Sequence, residues 1–277
     1  AGEGKIIAGE KTLAVTSERE PSKIPWSSFG VDVVVESTGL FTDFEKAASH
    51  LKGGAKRVVI SAPVKSGGDG VTVLMGLNEA DLSKSTVSAN ASCTTNAASP
   101  LIAILDAALG VEKALLNTTH AYTASQALQD GPSKKDLREG RAAAENVVPS
   151  STGAAVAVTQ AYPNLVGKFD GISVRVPVVV GSLVDITFVA KRDTTAEEVN
   201  TILKTAAASD HWKEIFAVTE KPLVSSDIVG DTHAAIADLA FTRVVGGNLV
   251  KVLAWYDNEA GYAHTLITHV IEAGKHI

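Results

Sequence analysis

The feature that most constrains the fold is a series of short β-branched runs, each followed by small polar residues and a helix-length interval. Val31–Glu36 reads Val-Asp-Val-Val-Val-Glu and ends in Ser-Thr-Gly. Such a run is typical of a parallel strand buried on both faces. Arg57–Ile60, Val71–Met75 and Val87–Asn90 are predicted as further strands. The spacing predicts a parallel sheet with crossover connections in the first third of the chain.

The other elements are predicted from periodicity and capping residues. Thr42 and Thr195 each precede a helical segment and are the expected N-caps. The regular spacing of strand-like runs ends near Ala91, and a domain boundary is expected there. The elements predicted beyond it include a helix over Asn96–Leu109, a strand over Leu115–Ala121, β-rich stretches over Ile172–Val180 and Leu183–Ala190, and a closing helix over Asn258–Ala273.

Composition narrows the classes of function. The chain has 277 residues, 45% of them hydrophobic and 20% charged, so it can bury a core, and two domains are expected. No apolar stretch approaches the roughly 18 residues of a membrane span. The net charge of −6 disfavours a nucleic-acid partner. The single cysteine, Cys93, excludes an intrachain disulfide framework and a multi-cysteine zinc site, and no metal is expected.

Cys93 is the sharpest candidate for chemistry. It lies in the sequence Ser-Cys-Thr-Thr-Asn, at the predicted start of a helix. The partial positive charge and unpaired N–H groups of a helix start favour a thiolate and bind anions. The alternative is an inert buried cysteine, a common state of this residue type.

A nucleophilic cysteine needs a base, and His120 is the first candidate among the seven histidines. It ends an apolar strand, where α/β proteins present polar groups, and an adjacent imidazole lowers a thiol pKa and shuttles protons. A structural core histidine is the alternative. His233, in a polar loop, is a weaker rival. The remaining histidines are interpreted as structural or solvated: His50, His211, His264, His269 and His276.

Arg175 interrupts an otherwise uncharged strand, so its guanidinium must be paired, solvated at a rim or bound to a ligand. Arg138 lies in a charged loop over residues 130–140 and Arg141 directly follows that loop, and the residues alone favour solvated charges for both arginines. The segment Ser150–Gly153 precedes a helix and can serve as an N-cap, an anion site or both.

Several motifs occur in register along the chain. They are Ser88–Asn96, His120–Thr123, Asp130–Ser133, Pro149–Ala155, Arg175–Pro177 and Trp255–Glu259. In these motifs the sequence resembles phosphorylating glyceraldehyde-3-phosphate dehydrogenase over essentially its whole length. The resemblance implies an α/β fold with an N-terminally truncated Rossmann-type parallel sheet and an α+β catalytic domain whose sheet is mostly antiparallel. It implies a partial dinucleotide-binding domain over 1–91 and 255–277, and a catalytic domain over 92–254.

The resemblance also implies the chemistry. Cys93 is the implied nucleophile that attacks the aldehyde and forms a thiohemiacetal, and His120 is the implied base that activates it and assists hydride departure. Inorganic phosphate then cleaves the thioester to an acyl phosphate. The implied activity is the NAD(P)-dependent conversion of glyceraldehyde 3-phosphate to 1,3-bisphosphoglycerate, in glycolysis and gluconeogenesis.

Binding residues are implied in the same way. Thr123 and Arg175 match positions that hold the substrate phosphate. The residues implied for inorganic phosphate are Ser92, Thr94, Thr152 and Gly153, and Arg138 matches a further phosphate-contacting arginine. The residues implied for the cofactor are Thr38, Gly39 and Phe41 at its adenosine end, Ser61 and Ala62 in a second loop, and Asn258 and Tyr262 at the nicotinamide.

The sequence departs from the family at its front. No G-x-G-x-x-G occurs, so the Gly-rich turn and the acidic residue that selects the ribose are expected to be missing, together with more than one βαβ unit of ~30 residues. NAD is the expected cofactor. NADP stays open because the selecting residue is not in the sequence.

Assembly and location are expectations too. The resemblance implies a homotetramer, and the β-rich segment over 172–190 is expected to contribute to a subunit interface. A cytoplasmic location is expected. Two other functions remain open, namely the erythrose-4-phosphate dehydrogenase branch of the same family and a truncated, non-catalytic binding or scaffold paralogue.

Overall fold

A parallel sheet organises the front of the chain in the computed structural model, which describes residues 4–64, 67–133 and 136–277. A hairpin of β1 (Lys5–Ala8) and β2 (Lys11–Ala14) comes first. The sheet contains β3 (Val33–Glu36), β4 (Arg57–Ile60), β5 (Val71–Thr72) and β6 (Val87–Ala89), in the spatial order β3-β4-β6-β5. Its pairings are parallel, as the spacing of the runs predicted. Residues that follow β3, β4 and β6 therefore meet at one edge of the sheet.

Two short helices, α1 (Phe44–Ala47) and α2 (Ser49–Lys52), follow β3. The prediction of Thr42 as the N-cap is wrong. Asp43 is the capping residue, and its carboxylate accepts the backbone N–H of Lys46 at 2.8 Å. A carboxylate also complements the positive end of the helix dipole, which a threonine hydroxyl does not.

A second, larger sheet occupies the rest of the chain. Its strands are β7 (Val111–Ala121), β8 (Val148–Ser151), β9 (Phe169–Val176), β10 (Ser182–Ala190), β11 (Phe216–Thr219), β12 (Ala235–Asp238), β13 (Arg243–Val245) and β14 (Leu249–Tyr256). The order is β11-β12-β14-β10-β7-β9-β8, with β13 paired to β14. Most pairings are antiparallel, whereas β7/β9 and β11/β12 are parallel. The predicted fold class, a parallel sheet plus an α+β region with a mostly antiparallel sheet, is confirmed.

Helices α3 (Cys93–Leu109), α4 (Ala154–Ala161) and α5 (Ala196–Ala207) bury one face of the mixed sheet. Helix α3 is apolar nearly all round and forms the centre of the core, with Leu101 and Leu105 fully buried. The predicted N-cap of α5 is confirmed, because Thr195 Oγ1 accepts the N–H of Glu198 at 3.1 Å. Among the described residues, no helix combines the length and apolar character needed to cross a membrane.

Pro100 lies inside α3, where it cannot donate a backbone hydrogen bond to the Asn96 carbonyl. The hydroxyl of Ser99 donates to that carbonyl at 3.2 Å and satisfies it. The helix therefore continues through the proline and keeps its first turn, which carries Cys93, attached to its buried second half.

The last helix, α6 (Ala260–Gly274), returns to the parallel sheet. Val59 and Val73 of the front region pack with Leu266 and Ala273 of this helix. The C-terminal end of the chain is therefore a structural element of the front region.

Candidate active site

Cys93 and His120 are brought together from different elements. Cys93 is the first residue of α3, and His120 is the last but one of β7. The Cys93 Sγ lies 3.4 Å from His120 Nε2. Helix α3 begins here because Ser92 has an extended backbone and its Oγ accepts the N–H of Thr95 at 3.1 Å. His120, the first candidate for the base from the sequence, is therefore the histidine that contacts Cys93.

Burial controls the protonation of this pair. Desolvation raises the pKa of the Cys93 thiol, and it outweighs the hydrogen bonds from Thr94 and the charge of Arg175, which act in the opposite direction. Desolvation and the Arg175 charge lower the pKa of His120 to about 4. At neutral pH the ligand-free pair is therefore a thiol beside a neutral imidazole. The thiolate that a helix start alone would favour does not form, because the low-dielectric surroundings disfavour it more strongly.

Arg175 reaches the same site from β9. His120 and Arg175 are register partners on the parallel pair β7/β9, so their side chains leave the same face. The Arg175 Nη1 lies 2.7 Å from His120 Nδ1 and 3.2 Å from the Ala121 carbonyl. Arg175, which the sequence analysis singled out as a charge in this strand segment, therefore contacts the proposed base.

Tyr256 is a site residue that sequence analysis did not find. Its hydroxyl lies 2.9 Å from Thr94 Oγ1 and 2.8 Å from Thr118 Oγ1, and its ring meets His120 edge-on with centroids 5.9 Å apart. Tyr256 thereby joins the first turn of α3 to β7. The predicted role of Thr94 is affected too, because its hydroxyl is committed to Tyr256 and is buried. Tyr256 lies within the motif Trp255–Glu259, but nothing in that motif shows that its hydroxyl reaches Thr94 and Thr118.

The starts of two helices converge beside Cys93. Ser92 Oγ lies 2.7 Å from Thr95 Oγ1, and Thr95 in turn donates to the Ala154 carbonyl at 3.4 Å. Thr152 Oγ1 accepts the N–H of Ala154 at 3.1 Å, and Gly153 precedes α4 with no side chain to block an approach. A helix start carries partial positive charge, so the convergence of two of them favours an anion in this region.

Arg138 is not brought into this cluster. Its side chain is 64% exposed and pairs with Asp136 through two nitrogens. Within the described ranges no hydrogen bond joins Arg138 to Cys93, His120 or their neighbours. Residues 134 and 135, just before this segment, are outside the described residues. The prediction of a loop over 130–140 is therefore not described at these two positions.

Thr123 lies in the loop after β7. Its Oγ1 is 3.1 Å from Ser125 Oγ, and its N–H points to Gln126 Oε1 at 3.4 Å. A cavity of about 280 Å³ is lined by Thr123, Gln126 and Glu259 together with neighbouring apolar side chains. Glu259 follows Asn258 directly in sequence, so the predicted substrate-phosphate residue shares this cavity with the neighbour of a predicted nicotinamide residue.

The residues predicted for the adenosine end lie at the carboxyl edge of the parallel sheet. Thr38 and Gly39 follow β3, and Ser61 and Ala62 follow β4, the neighbouring strand. Ser61 Oγ lies 2.8 Å from Ser37 Oγ and ties the two loops together. Thr38 is anchored by Glu36, whose Oε1 accepts both the N–H and the hydroxyl of Thr38. Phe41 is half-buried beside them. Cys93 follows β6, the next strand, so this edge extends from the loops to the nucleophile.

The residues predicted for the nicotinamide end lie against Cys93 and His120. Asn258 Oδ1 accepts from the N–H of Gly181 and from the hydroxyl of Ser182, each at 3.0 Å. Ser182 in turn accepts the N–H of Ala121, the neighbour of His120, at 3.1 Å. With its oxygen occupied, Asn258 presents its amide nitrogen as a donor. Tyr262 donates its hydroxyl to the Ala91 carbonyl at 3.0 Å, two residues before Cys93.

These contacts fit a dinucleotide. Its two ends would meet hydroxyl-bearing loops at one edge of a parallel sheet and an oriented amide donor beside the cysteine. The rival histidine, His233, pairs with Asp231 at 2.7 Å, and within the described residues no hydrogen bond joins it to Cys93. His50 and His269 are buried and hydrogen-bonded inside the front region.

Comparison with known proteins agrees with this arrangement. Residues 92–258 match the model of the glyceraldehyde 3-phosphate dehydrogenase C-terminal domain, and residues 1–44 match that of the family's NAD binding domain. The chain is 47% identical to glyceraldehyde-3-phosphate dehydrogenase 1 of Streptomyces avermitilis over 273 residues, covering 98% of this chain and 80% of that one. It is 48% identical to the glyceraldehyde-3-phosphate dehydrogenase of Mycobacterium avium over 277 residues, covering 99% and 80%. The Zymomonas mobilis enzyme of the same name is 44% identical over 275 residues, covering 99% and 81%. On these matches and on this site, the chain belongs to the glyceraldehyde 3-phosphate dehydrogenase family.

Proposed function

We propose that this protein oxidises glyceraldehyde 3-phosphate with NAD and inorganic phosphate, and that Cys93 carries the acyl group as a thioester. The observation that carries the proposal is the 3.4 Å approach of Cys93 Sγ to His120 Nε2 at the start of α3, in a chain of this family. A thiol beside an imidazole is the minimal apparatus for covalent attack on an aldehyde.

In the first stage Cys93 attacks the aldehyde carbon while His120 Nε2 accepts the thiol proton. The product is a thiohemiacetal whose oxygen takes up that proton. His120 Nε2 then accepts the hydroxyl proton as a hydride leaves the same carbon, and a thioester results. When bound, NAD supplies the acceptor for this hydride. Because His120 is neutral near pH 7, its Nε2 accepts a proton at each of these steps when Nδ1 carries the ring proton.

In the second stage an oxygen of inorganic phosphate attacks the thioester carbon. The carbon–sulfur bond breaks, the sulfur takes a proton from His120, and an acyl phosphate leaves. We assign the attacking phosphate to the region between Ser92, Thr152 and Gly153, where the two helix starts converge. Arg138 would have to leave Asp136 to contribute, so its predicted role in this site is secondary. Thr123 and Arg175 are assigned to the substrate's own phosphate.

The cofactor residues form the remaining part of the site proposal. Thr38, Gly39 and Phe41, with Ser61 and Ala62, would hold the adenosine end, and Asn258 and Tyr262 the nicotinamide end. We also propose a dinucleotide-binding domain over 1–91 and 255–277 and a catalytic domain over 92–254. The packing of α6 on the parallel sheet supports this division.

A cytoplasmic location belongs to the proposal as well, because Cys93 acts only as a free thiol.

We propose further that the protein is a homo-oligomer, a tetramer by resemblance. The face of the mixed sheet opposite α3 carries exposed apolar side chains such as Leu115 and Ile172, and borders a cavity of about 770 Å³. On this face Asn117 Oδ1 and Asp185 Oδ1, of register partners on β7/β10, are buried without a hydrogen-bond partner among the described residues. A second copy that covers the face would bury the apolar groups and bring donors to the two oxygens.

The test is NADH formation, followed by its near-ultraviolet absorbance, with glyceraldehyde 3-phosphate, NAD and phosphate. The expected result is turnover that requires phosphate and disappears in Cys93→Ser. Turnover with NADP in place of NAD would revise the cofactor. Faster turnover of erythrose 4-phosphate without a phosphate requirement would favour the other branch of the family. A folded, reduced protein that is inactive with every combination would support the scaffold alternative.

A further inference from the structure

A buried polar cluster lies beneath the segment that leads to Cys93. His269 on α6 is fully buried, with Nε2 2.8 Å from Ser88 Oγ and Nδ1 3.1 Å from Asn90 Oδ1. Ser88 lies in β6, and Asn90 follows that strand directly. Neither the proposed reaction nor the proposed cofactor contacts use His269, and its neighbours in sequence gave no sign of a role for it.

The hydrogen bonds fix how each group in the cluster is oriented. Asn90 Nδ2 donates to Thr265 Oγ1 at 3.3 Å, which assigns the other amide atom, Oδ1, to His269. A carbonyl oxygen only accepts, so His269 Nδ1 carries the proton, and the Ser88 hydroxyl donates to Nε2. Desolvation lowers the pKa of His269 to about 4, so the ring stays neutral in this tautomer at neutral pH. Each polar side-chain atom of the cluster has a partner.

The segment held by this cluster has an unusual backbone. Ala91 has φ +54°, and among the described residues it is the one non-glycine residue with a positive φ. L side chains rarely adopt this region, so the surrounding contacts must hold it. The Ala91 carbonyl accepts from Tyr262, and the Asn90 carbonyl accepts from Asn96 Nδ2 at 2.7 Å.

Helix α6 thus holds the turn from one side and helix α3 holds it from the other. The turn sets the direction in which the chain leaves β6 and enters α3, and therefore where Cys93 Sγ lies relative to His120. Its geometry depends on Asn90, whose backbone is bonded to α3 and whose side chain is bonded to α6. His269 is the most deeply buried contact of that side chain.

We propose that His269 is a positioning residue for the nucleophile: through Asn90 it fixes the turn at Ala91 and so keeps Cys93 at the correct distance and angle from His120. The inference rests on the proposed function of Cys93. It assigns His269 no contact with substrate or cofactor. A misplacement of about 1 Å at a reacting atom costs on the order of a hundredfold in rate, so a modest loosening of the turn would be measurable.

Three substitutions at this position separate the two hydrogen bonds. His269→Leu removes both. His269→Asn places an amide nitrogen at the same bond count as Nδ1 and keeps the donor to Asn90. His269→Gln places its amide nearer the Nε2 position and keeps a partner only for Ser88. His264→Leu is the matched control, because His264 is on the same helix and outside the cluster.

The readout is the rate at which iodoacetamide alkylates Cys93, measured against pH in the 277-residue chain. Cys93 is the single cysteine in this sequence, so the signal is specific to it. We expect His269→Leu and His269→Gln to slow alkylation and the first-turnover burst of NADH by about tenfold or more. His269→Asn and His264→Leu should stay within about threefold of wild type. Ser88→Ala should also retain the wild-type rate, because it leaves the Asn90 contact intact.

Urea unfolding of each variant identifies the contradicting outcomes. If the His269 variants lose stability but alkylate at the wild-type rate, His269 is a core residue and the proposal is wrong. If His269→Leu does not fold, the alkylation rates of His269→Asn and His269→Gln are compared instead. Equal rates in these two variants would show that His269 does not position Cys93 through Asn90. Alkylation needs neither substrate nor cofactor. A protein that shows the expected alkylation pattern but no turnover would therefore contradict the proposed function and leave the positioning role in place.

Discussion

His120 and Arg175 stand directly opposite each other on β7 and β9, and the Arg175 guanidinium lies 2.7 Å from His120 Nδ1. The same Nδ1 lies 2.6 Å from the Ala121 carbonyl. The two contacts require opposite protonation states of Nδ1, because a guanidinium only donates and a carbonyl only accepts. An anion that draws Arg175 away would leave Nδ1 protonated on Ala121 and free Nε2 to accept the Cys93 proton. Substrate binding and base activation are therefore linked through Arg175.

Arg175→Gln tests this link. Removing the cation should raise the pKa of His120 from about 4 toward its ordinary value, since the Arg175 charge is the second cause of its depression after burial. NMR titration of the His120 ring would show it. The KM for glyceraldehyde 3-phosphate should rise by about tenfold or more, because a charge-assisted contact is lost. Arg192→Gln, at an exposed ion pair, is the control and should change neither quantity.

His120→Asn tests the base. We expect kcat to fall by about 10²–10⁴, because general base catalysis contributes about that factor. The fall should be accompanied by loss of the NADH burst, since the first stage needs the base. His233→Asn should retain activity. A His120→Asn protein with near-normal kcat would transfer the role of base to another group.

Acid stability follows from two buried histidines. The pKa values of His120 and His269 are lowered to about 4 in the folded protein, so the unfolded chain binds more protons between that value and the ordinary 6.5. Stability from these groups is therefore present above pH 6.5 and is lost as the pH falls from 6.5 to 4. Each histidine contributes about 3 kcal/mol to this decrease in the free energy of unfolding once the pH is below its folded-state pKa.

Urea unfolding between pH 7.5 and 4.5 measures this dependence. The His269→Gln protein should show a smaller decrease across this range than wild type, because it lacks one of the two titrating groups. Equal slopes for the two proteins would mean that His269 is not neutral in the folded state.

Ala91 should tolerate glycine and reject a β-branched residue. Ala91→Gly keeps access to positive φ, and its unfolding free energy should stay within about 1 kcal/mol of wild type. Ala91→Val should cost about 2 kcal/mol or more, because valine disfavours this backbone region and the site is buried. Denaturant unfolding of the two variants checks the order. A stable valine variant would show that the turn is not held in this conformation.

Assembly is tested on the outer face of the mixed sheet. Leu115→Lys combined with Ile172→Lys adds charge to an exposed apolar face and should leave the protomer folded while the oligomer dissociates. Sedimentation velocity reads the change directly. Ile267→Lys, at a comparably exposed position on α6, should leave the assembly unchanged. An unaltered oligomer in the double variant would place the interface elsewhere.

The sequence by itself determined much of this protein. Parallel strands were predicted from β-branched runs such as Val31–Glu36, and helix α3 from the apolar periodicity of Asn96–Leu109, because both signals are local. The helix begins three residues earlier than predicted, at Cys93. Cys93 and His120 were recognisable for the same reason, since each lies at the end of a strongly patterned element. The strands β8, β11, β12 and β13 were not predicted, because short segments with mixed composition carry no clear periodicity.

Only the tertiary structure decided how the site is completed. Tyr256, Asn90 and His269 contribute through contacts with residues far away in sequence. Tyr256 and Asn90 lie within motifs of the chain, but those motifs do not show the contacts, and no local pattern marks His269. The helix start at Cys93 predicted a thiolate, whereas burial by distant elements favours the neutral thiol. The resemblance implied a phosphate contact for both Arg138 and Arg175, but strand register brings Arg175 to His120 while Arg138 pairs with its neighbour Asp136. Desolvation and register depend on which elements pack together, and those are properties of the whole fold.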